Sequence, residues 1–289
     1  MKQRVEEVSQ GAGASVRRVC WTLGITRSRL YRKPTGGRPM AEPSASESQV
    51  VEALCELAGR FPTYGYRRLK VLVSRALGRP VNAKRIRRLM QEHDLVTARR
   101  VERARPRPHP RQVEAIAPNQ VWQMDFTKIE AEGRGYWLLV VMDRFTREIV
   151  GWDLTLRGRG QEVKAVLDRA LLERFPQGVR GAGLKIASDN GSAFLSDTVQ
   201  DFAGLLEVEL LRTRVRYPEG NGRCERLIRT IKEDEVWLNI YETFAEARDR
   251  IGAFIEFYNA ERIHSALGYL SPRQFATRWQ DGGSSQKAA

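Results

Sequence analysis

"VWQMDFTKIE", residues 121–130, alternates: Trp122, Met124 and Phe126 fall on one side, and Gln123, Asp125 and Thr127 on the other. A period of two marks a strand with its apolar side against a core. "GYWLLVVMD" (135–143) reads as a strand buried on both faces. "RFTREIVGWDL" (144–154) returns as its partner, with a turn at Asp143–Thr146. "GQEVKAVLDRALLERF" (160–175) is a helix with Val163, Val166, Leu167, Ala170 and Leu171 on its stripe. "LKIASDNG" (184–191) is a short strand ending in a turn, and "SDTVQDFAGLL" (196–206) is a helix opened by Ser196. "VELLRTR" (208–214) is a further strand, and "PEGNGRCERLIRTIKED" (218–234) leads into a helix. Three strands, then helix, strand, helix, strand, helix, predict a mixed sheet with helices on its faces, an α/β domain.

Three acids stand out on this frame. Asp125 lies mid-strand on the polar side. Asp189 lies just past a strand end, where sites of α/β sheets gather. Glu225 lies one turn into the helix that follows "PEGNG", a helix that Asn221 would cap. Glu225, Arg229 and Lys232 share one helix face, while Leu227, Ile228 and Ile231 lean to the core. A helix that only gripped phosphates would do better without Glu225. Converging carboxylates repel and become tolerable with a cation between them. Mg²⁺ takes carboxylates, waters and phosphate oxygens, and a pair of such ions suits phosphodiester chemistry. Taken singly, each acid is an ordinary surface residue, and "DNG" is a common turn. Asp143 is a rival acid, placed where a hairpin turn favours Asp for conformation alone.

The front of the chain is different. Residues 1–120 hold 25 Lys and Arg against 10 Asp and Glu, whereas residues 121–289 are nearly neutral, with 24 against 25. A basic front on a neutral back suits nucleic-acid binding. Residues 12–33 predict two short helices, with Arg27, Arg29 and Arg32 offered to DNA from the second. "GGRPMAEPSASES" (36–48) reads as a linker. A second helical unit spans about 48–98. It contains "YGYRRLKVLVSRAL", with Arg67 and Arg68, and "VNAKRIRRLMQEHDL", where Asn82 caps and Ile86, Leu89 and Met90 face a core. There Lys84, Arg85, Arg87 and Arg88 are left for phosphates or base edges. "ARRVERARPRPHPRQ" (98–112) is an extended basic connector. The domain boundaries predicted are a helix-turn-helix at 1–38, a linker at 39–47, a second helix-turn-helix at 48–98, a connector at 99–117, a catalytic domain at 118–280 and a disordered tail at 281–289.

Of the 289 residues 42% are hydrophobic, enough for a real core, and no apolar run suggests a membrane span or a signal peptide. A soluble, intracellular protein is expected. Cys20, Cys55 and Cys224 give neither a zinc spacing nor a disulfide framework.

Thirty-five residues separate Asp189 from Glu225, and Lys232 follows seven later. With "WQMDFT", "ASDNGSAF", "PEGNGRCERLIRTIKED", "FYNAERIHSALGYLSPRQF", "YGYRRLKVLV" and "VNAKRIRRLM", the chain resembles the D,D-35-E transposases and integrases. It is most similar to the B-frame transposases of the insertion-sequence family numbered three. The resemblance implies a ribonuclease-H-like catalytic domain preceded by all-α helix-turn-helix DNA-binding domains. It implies Asp125, Asp189 and Glu225 as catalytic acids and metal ligands for two Mg²⁺ ions, with Mn²⁺ as a substitute. It places Lys232 at the DNA near the cut, and Asn190, Asn221, Gly222, Arg226 and Arg229 around the site or strand. The implied activity is hydrolysis to free a 3′-hydroxyl, then attack of that hydroxyl on another phosphodiester. Implied partners are double-stranded DNA (the element's terminal inverted repeats and target DNA), further copies of the chain assembled on DNA, and an upstream-frame helix-turn-helix partner protein. The implied setting is the bacterial cytoplasm, at the nucleoid. "PEGNGRCER" is closer to the general integrase-core style than to many relatives of that family, which leaves the subfamily open. Arg262 and His264 also match family positions; the bottom-up expectation for a lone His is a structural role. The competing readings are an inert DNA-binding regulator or partner subunit, and a nuclease that only hydrolyses.

Overall fold

The computed structural model describes residues 45–96, 114–212 and 222–286. The predicted first helix-turn-helix with Arg27 and Arg29, most of the basic connector, and Asn221 lie outside the described residues. Contacts divide the chain into residues 1–56 and 57–289.

Three helices come first: α1 (Ala45–Arg60), α2 (Tyr66–Ala76) and α3 (Ala83–Glu92). α1 starts at Ala45, inside the stretch predicted as linker. Asn82 caps α3 as expected, its side chain accepting from the Lys84 amide at 2.8 Å. Ile86, Leu89 and Met90 are buried on one side of α3, as their spacing predicts.

The sheet is built from β1 (Val121–Ala131), β2 (Arg134–Asp143), β3 (Ile149–Thr155), β4 (Lys185–Ser188) and β5 (Glu209–Arg212), in the order β3-β2-β1-β4-β5. β1–β2 and β2–β3 are antiparallel; β1–β4 and β4–β5 are parallel. This is the mixed sheet predicted, in the ribonuclease-H-like order. α4 (Gly160–Arg174) and α5 (Asp197–Leu205) connect the parallel strands. α6 (Gly222–Asp234), α7 (Phe244–Ala260) and α8 (Pro272–Gln286) follow.

The pleat of β1 sorts the core into two layers. Trp122 and Met124, with Leu139 and Val141 of β2, pack against Val163, Val166 and Leu167 of α4 and Val199 of α5. Ile129 and Ala131, with Leu138, Val140 and Met142, pack against Leu227 and Ile231 of α6 and Ile251, Phe254 and Ile255 of α7. Successive residues point to opposite faces, so Gln123 and Asp125 fall on the α6 side. Asn259 fixes α7 to the sheet by bonding both the amide and the carbonyl of Ile149, each at 2.9 Å.

Two details differ from prediction. Ser196 occupies the N-cap position of α5, but its hydroxyl donates to the Ala193 carbonyl and makes no capping bond. The turn before the helix offers a nearer acceptor, and a hydroxyl that donates there is spent locally. α8 continues to Gln286, past residue 281 where a disordered tail was predicted. Phe275 and Trp279 pack on Phe145, with ring centroids 5.5 and 4.7 Å away, and helix propagation from an anchored segment is favourable. Among the described residues no helix is long and apolar enough to cross a membrane.

β3 and α4 approach closely because residue 151 is glycine. A Cβ there would sit 3.0 Å from the Ala170 Cβ and 3.1 Å from a Val166 methyl. Gly151→Ala is expected to cost about 1–3 kcal/mol by overpacking. Urea unfolding would show it, and Ala170→Gly in the same chain should recover part of the loss.

Candidate active site

β1 and β4 run parallel with Gln123 opposite Ala187. Carried two residues further, this register sets Asp189 level with Asp125. Asp189 stands beyond the strand end, its Oδ1 accepting from the Gly191 amide at 2.9 Å. A Cβ on Gly191 would approach that oxygen to 3.0 Å, so glycine keeps the turn tight around the carboxylate. Asp125 Oδ1 accepts from the Phe126 amide at 2.8 Å.

α6 brings the third acid. Cys224 is fully buried, its Sγ donating over a long 4.0 Å to the Gln123 carbonyl. Arg223 Nη1 donates to the Arg144 carbonyl at 3.3 Å. These contacts seat the first turn of α6 on the start of β1, and Glu225 emerges beside it, exposed to solvent.

The electrostatics join the three acids. The Asp125 carboxyl is pushed up to about 7, first by burial and then by the negative charges of Asp189 and Glu225, against the Phe126 amide that lowers it. Burial also raises Glu225. Cys224 is raised well above its ordinary value by burial, with Asp125 and Glu225 adding to it. The site therefore carries more negative charge than its protein surroundings neutralise. Among the described residues no three acidic, His or Cys groups close to metal-ligating distance. The carboxylates are coupled but stand apart.

The basic residues predicted around them are dispersed. Arg226 and Arg229 are exposed on α6, Lys232 is half-buried there, and Asn190 is exposed beside Asp189. Arg226 lies 4.0 Å from Glu233. On the front helices Lys84 and Arg87 are exposed and Arg85 is half-buried. Arg88 pairs with Glu92 at 3.4 Å. Arg67 is exposed and donates to the Tyr66 hydroxyl at 3.2 Å. Arg68 is drawn inward, its guanidinium 5.0 Å from the centre of the Tyr64 ring, and burial lowers its pKa.

The rival acid Asp143 is structural. Its carboxylate accepts from the amides of Asn119, Phe145 and Thr146, which shapes the β2–β3 turn. His264 is half-buried and packed edge-on to Tyr258 with centroids 5.0 Å apart. Burial, then Arg262, Arg68 and Arg147, hold its pKa down at about 3.

One pair has no signal in the residue pattern. Arg262, only 2% exposed, donates through Nε and Nη2 to Asp234 Oδ2 at 2.9 and 2.8 Å. Asp234 ends α6, two residues past Lys232. The family likeness marked Arg262, but the Asp followed a basic helix with nothing in its spacing to distinguish it.

A five-stranded mixed sheet carrying Asp125 on its central strand, preceded in the chain by basic helices, suits an enzyme that works on nucleic acid. Residues 115–218 match one integrase core domain family, residues 206–272 match a second, and residues 46–103 match an HTH-like domain. The transposase InsD of insertion element IS2A/D/F/H/I/K from Escherichia coli is 32% identical over 279 residues, covering 93% of this chain and 92% of that protein. Among solved structures, the simian T-cell lymphotropic virus intasome in complex with PP2A regulatory subunit B56 gamma aligns over 77% of this chain and 74% of that one. Its identity is 18% and its TM-score 0.48. The HTLV-2 integrase catalytic core domain in complex with magnesium (trimeric form) aligns over 56% and 99%, at 20% identity and a TM-score of 0.44. The chain belongs to the insertion-sequence transposases with an integrase core, enzymes of the D,D-35-E type that carry out DNA transposition.

Asp125→Asn removes one of three mutually repelling charges. It is expected to raise the thermal midpoint of the metal-free protein at pH 8 by a few degrees, as scanning calorimetry would show. His264 gives the opposite pH trend. Its folded pKa of about 3 lies below its unfolded 6.5, so the unfolded chain binds the extra proton between those values. The stability it contributes is complete above 6.5 and is lost as the pH falls towards 3. His264→Gln should flatten that acid limb in urea titrations at pH 4 and pH 7.

Proposed function

We propose that Asp125, Asp189 and Glu225 are the catalytic acids of this transposase and that together they hold divalent metal, two Mg²⁺ ions or Mn²⁺ in their place. One observation supports the assignment: the β1–β4 register carries Asp189 to the level of Asp125, and Cys224, next to Glu225 in the chain, packs against the Gln123 carbonyl of the same strand. The donor set fits the group, because all three are carboxylates and the charge they leave unneutralised is what a hard cation supplies. When bound, the metal would polarise the scissile phosphodiester and activate the attacking oxygen, water in the first step and a 3′-hydroxyl in the second.

The chain's own residues do the rest. Asp125, half-buried in mid-strand, is the fixed ligand, and Asp189 is held by its turn at Gly191. Glu225 is the ligand on a helix, and it explains an acid among arginines: the Glu holds cation while Arg226, Arg229 and Lys232 hold the phosphates of the strand being cut. Lys84, Arg85 and Arg87 of α3, with Arg67 of α2, hold the duplex of the element's terminal inverted repeats. Arg27 and Arg29 extend that grip, and Asn190 and Asn221 border the site. Two ends are cut and joined together by copies of the chain assembled on DNA, with an upstream-frame helix-turn-helix protein as a further partner. The setting is the bacterial cytoplasm, at the nucleoid.

The test is strand transfer by the purified protein with Mg²⁺ on labelled duplex carrying the repeats that flank its gene. Glu225→Gln, Asp125→Asn and Asp189→Asn should each lower joined product on the order of 10³-fold, since the ion clamp supplies several kcal/mol. DNA affinity should change little. Nicks without joined product would leave hydrolysis alone. Full activity in any of the three variants would remove that acid from the site.

A further inference from the structure

The helix that carries Glu225 is gripped at its far end by a contact that reaches the front helices. Arg262 follows α7 and is almost fully buried. It holds Asp234, the last residue of α6, through two nitrogens. Its guanidinium also lies between two rings, 5.9 Å from the centre of Tyr64 and 5.7 Å from that of Tyr258. Tyr64 belongs to the turn between α1 and α2. Its hydroxyl accepts from the Ile263 amide at 3.3 Å, and its ring stacks on Phe61 at 4.8 Å. Phe61 stacks in turn on Phe257 of α7 at 5.9 Å. Two further bonds tie the same parts together: Arg60 to Glu261, and Arg75 of α2 to the Tyr269 carbonyl at 2.7 Å. The α1–α2 turn is thus seated on the loop after α7, and that loop holds α6.

We propose that Arg262 is a positioning residue through which Tyr64, in the turn before α2, sets the placement of α6 and hence of Glu225 and Lys232 when the front helices are loaded on DNA.

Three features support this. The front turn and α6 share Arg262 as a common partner, so a shift of either is felt by the other through a buried, charge-assisted contact. A planar guanidinium can stack on two rings and bond a carboxylate at once, which a lysine ammonium cannot. The arrangement also concentrates cations, since Arg68 lies over the same Tyr64 ring. Asp234 is therefore needed at this place, and its position within α6 is fixed by it. The proposal rests on the reading that α2 and α3 hold DNA; its bearing on catalysis rests on Glu225 being a ligand.

The experiment is hydrogen exchange of the α6 amides in the full chain, with and without element-end duplex, beside binding and single-turnover strand transfer. In the unaltered protein, duplex should slow exchange across the last turns of α6. In Tyr64→Leu, which leaves the Arg262–Asp234 pair in place, duplex should bind within about threefold while the α6 protection is lost and strand transfer falls on the order of tenfold. Arg262→Lys should behave alike, and Tyr64→Phe, which keeps the stack, should retain most of both. A merely structural role would lower the folded fraction and leave the DNA-induced change in α6 intact. That result, or an α6 that never responds to duplex, overturns the proposal. If α6 responds as expected but Glu225→Gln still joins strands, the active-site assignment fails and the positioning role stands. Unaltered protein that binds no duplex would overturn both.

Discussion

β1 is the strand on which everything else depends. Among the described strands it alone is bonded on both sides by partners of opposite sense, antiparallel to β2 and parallel to β4. That position fixes its pleat, since a slip of one residue would turn every side chain to the wrong face. With Trp122 and Met124 locked against α4 and α5, Asp125 has no choice but the α6 side. The cost of a half-buried carboxylate is borne by the two apolar layers that hold the strand still.

The same strand explains how three distant acids are brought together without a dedicated scaffold. The parallel register with β4 sets the height of Asp189, and the packing of Cys224 on β1 sets the height of Glu225. Neither neighbour needs to touch Asp125. Backbone geometry holds the acids in one region against their mutual repulsion, which is unfavourable for local stability.

Much of this was legible in the sequence, for reasons that differ from residue to residue. The period of two in 121–130 announces a strand and the side on which Asp125 lies, and the stripe of Val163, Val166, Leu167, Ala170 and Leu171 announces α4. Asp143 was rightly read as a turn acid, because Asp at a hairpin has a local reason to be there. The register of Gln123 with Ala187 was not legible, since pairing between strands 64 residues apart leaves no periodic trace. Nor was the Arg262–Asp234 pair, because two charges 28 residues apart are indistinguishable in sequence from two solvated ones. Ser196 misled because its position is right for a cap, and only the geometry of the preceding turn decides where its hydroxyl goes.

The burial of Cys224 has a chemical consequence. Its neighbour in the chain is Glu225, so an accessible thiol there would put an oxidisable sulfur beside one of the acids proposed to hold metal. Full burial and a raised pKa keep it as the unreactive thiol, since the thiolate is the form that oxidants and alkylating reagents attack. Of the two described cysteines, Cys55, exposed on α1, would be consumed before Cys224. The same close packing that seats α6 on β1 thereby keeps this thiol out of reach of oxidants.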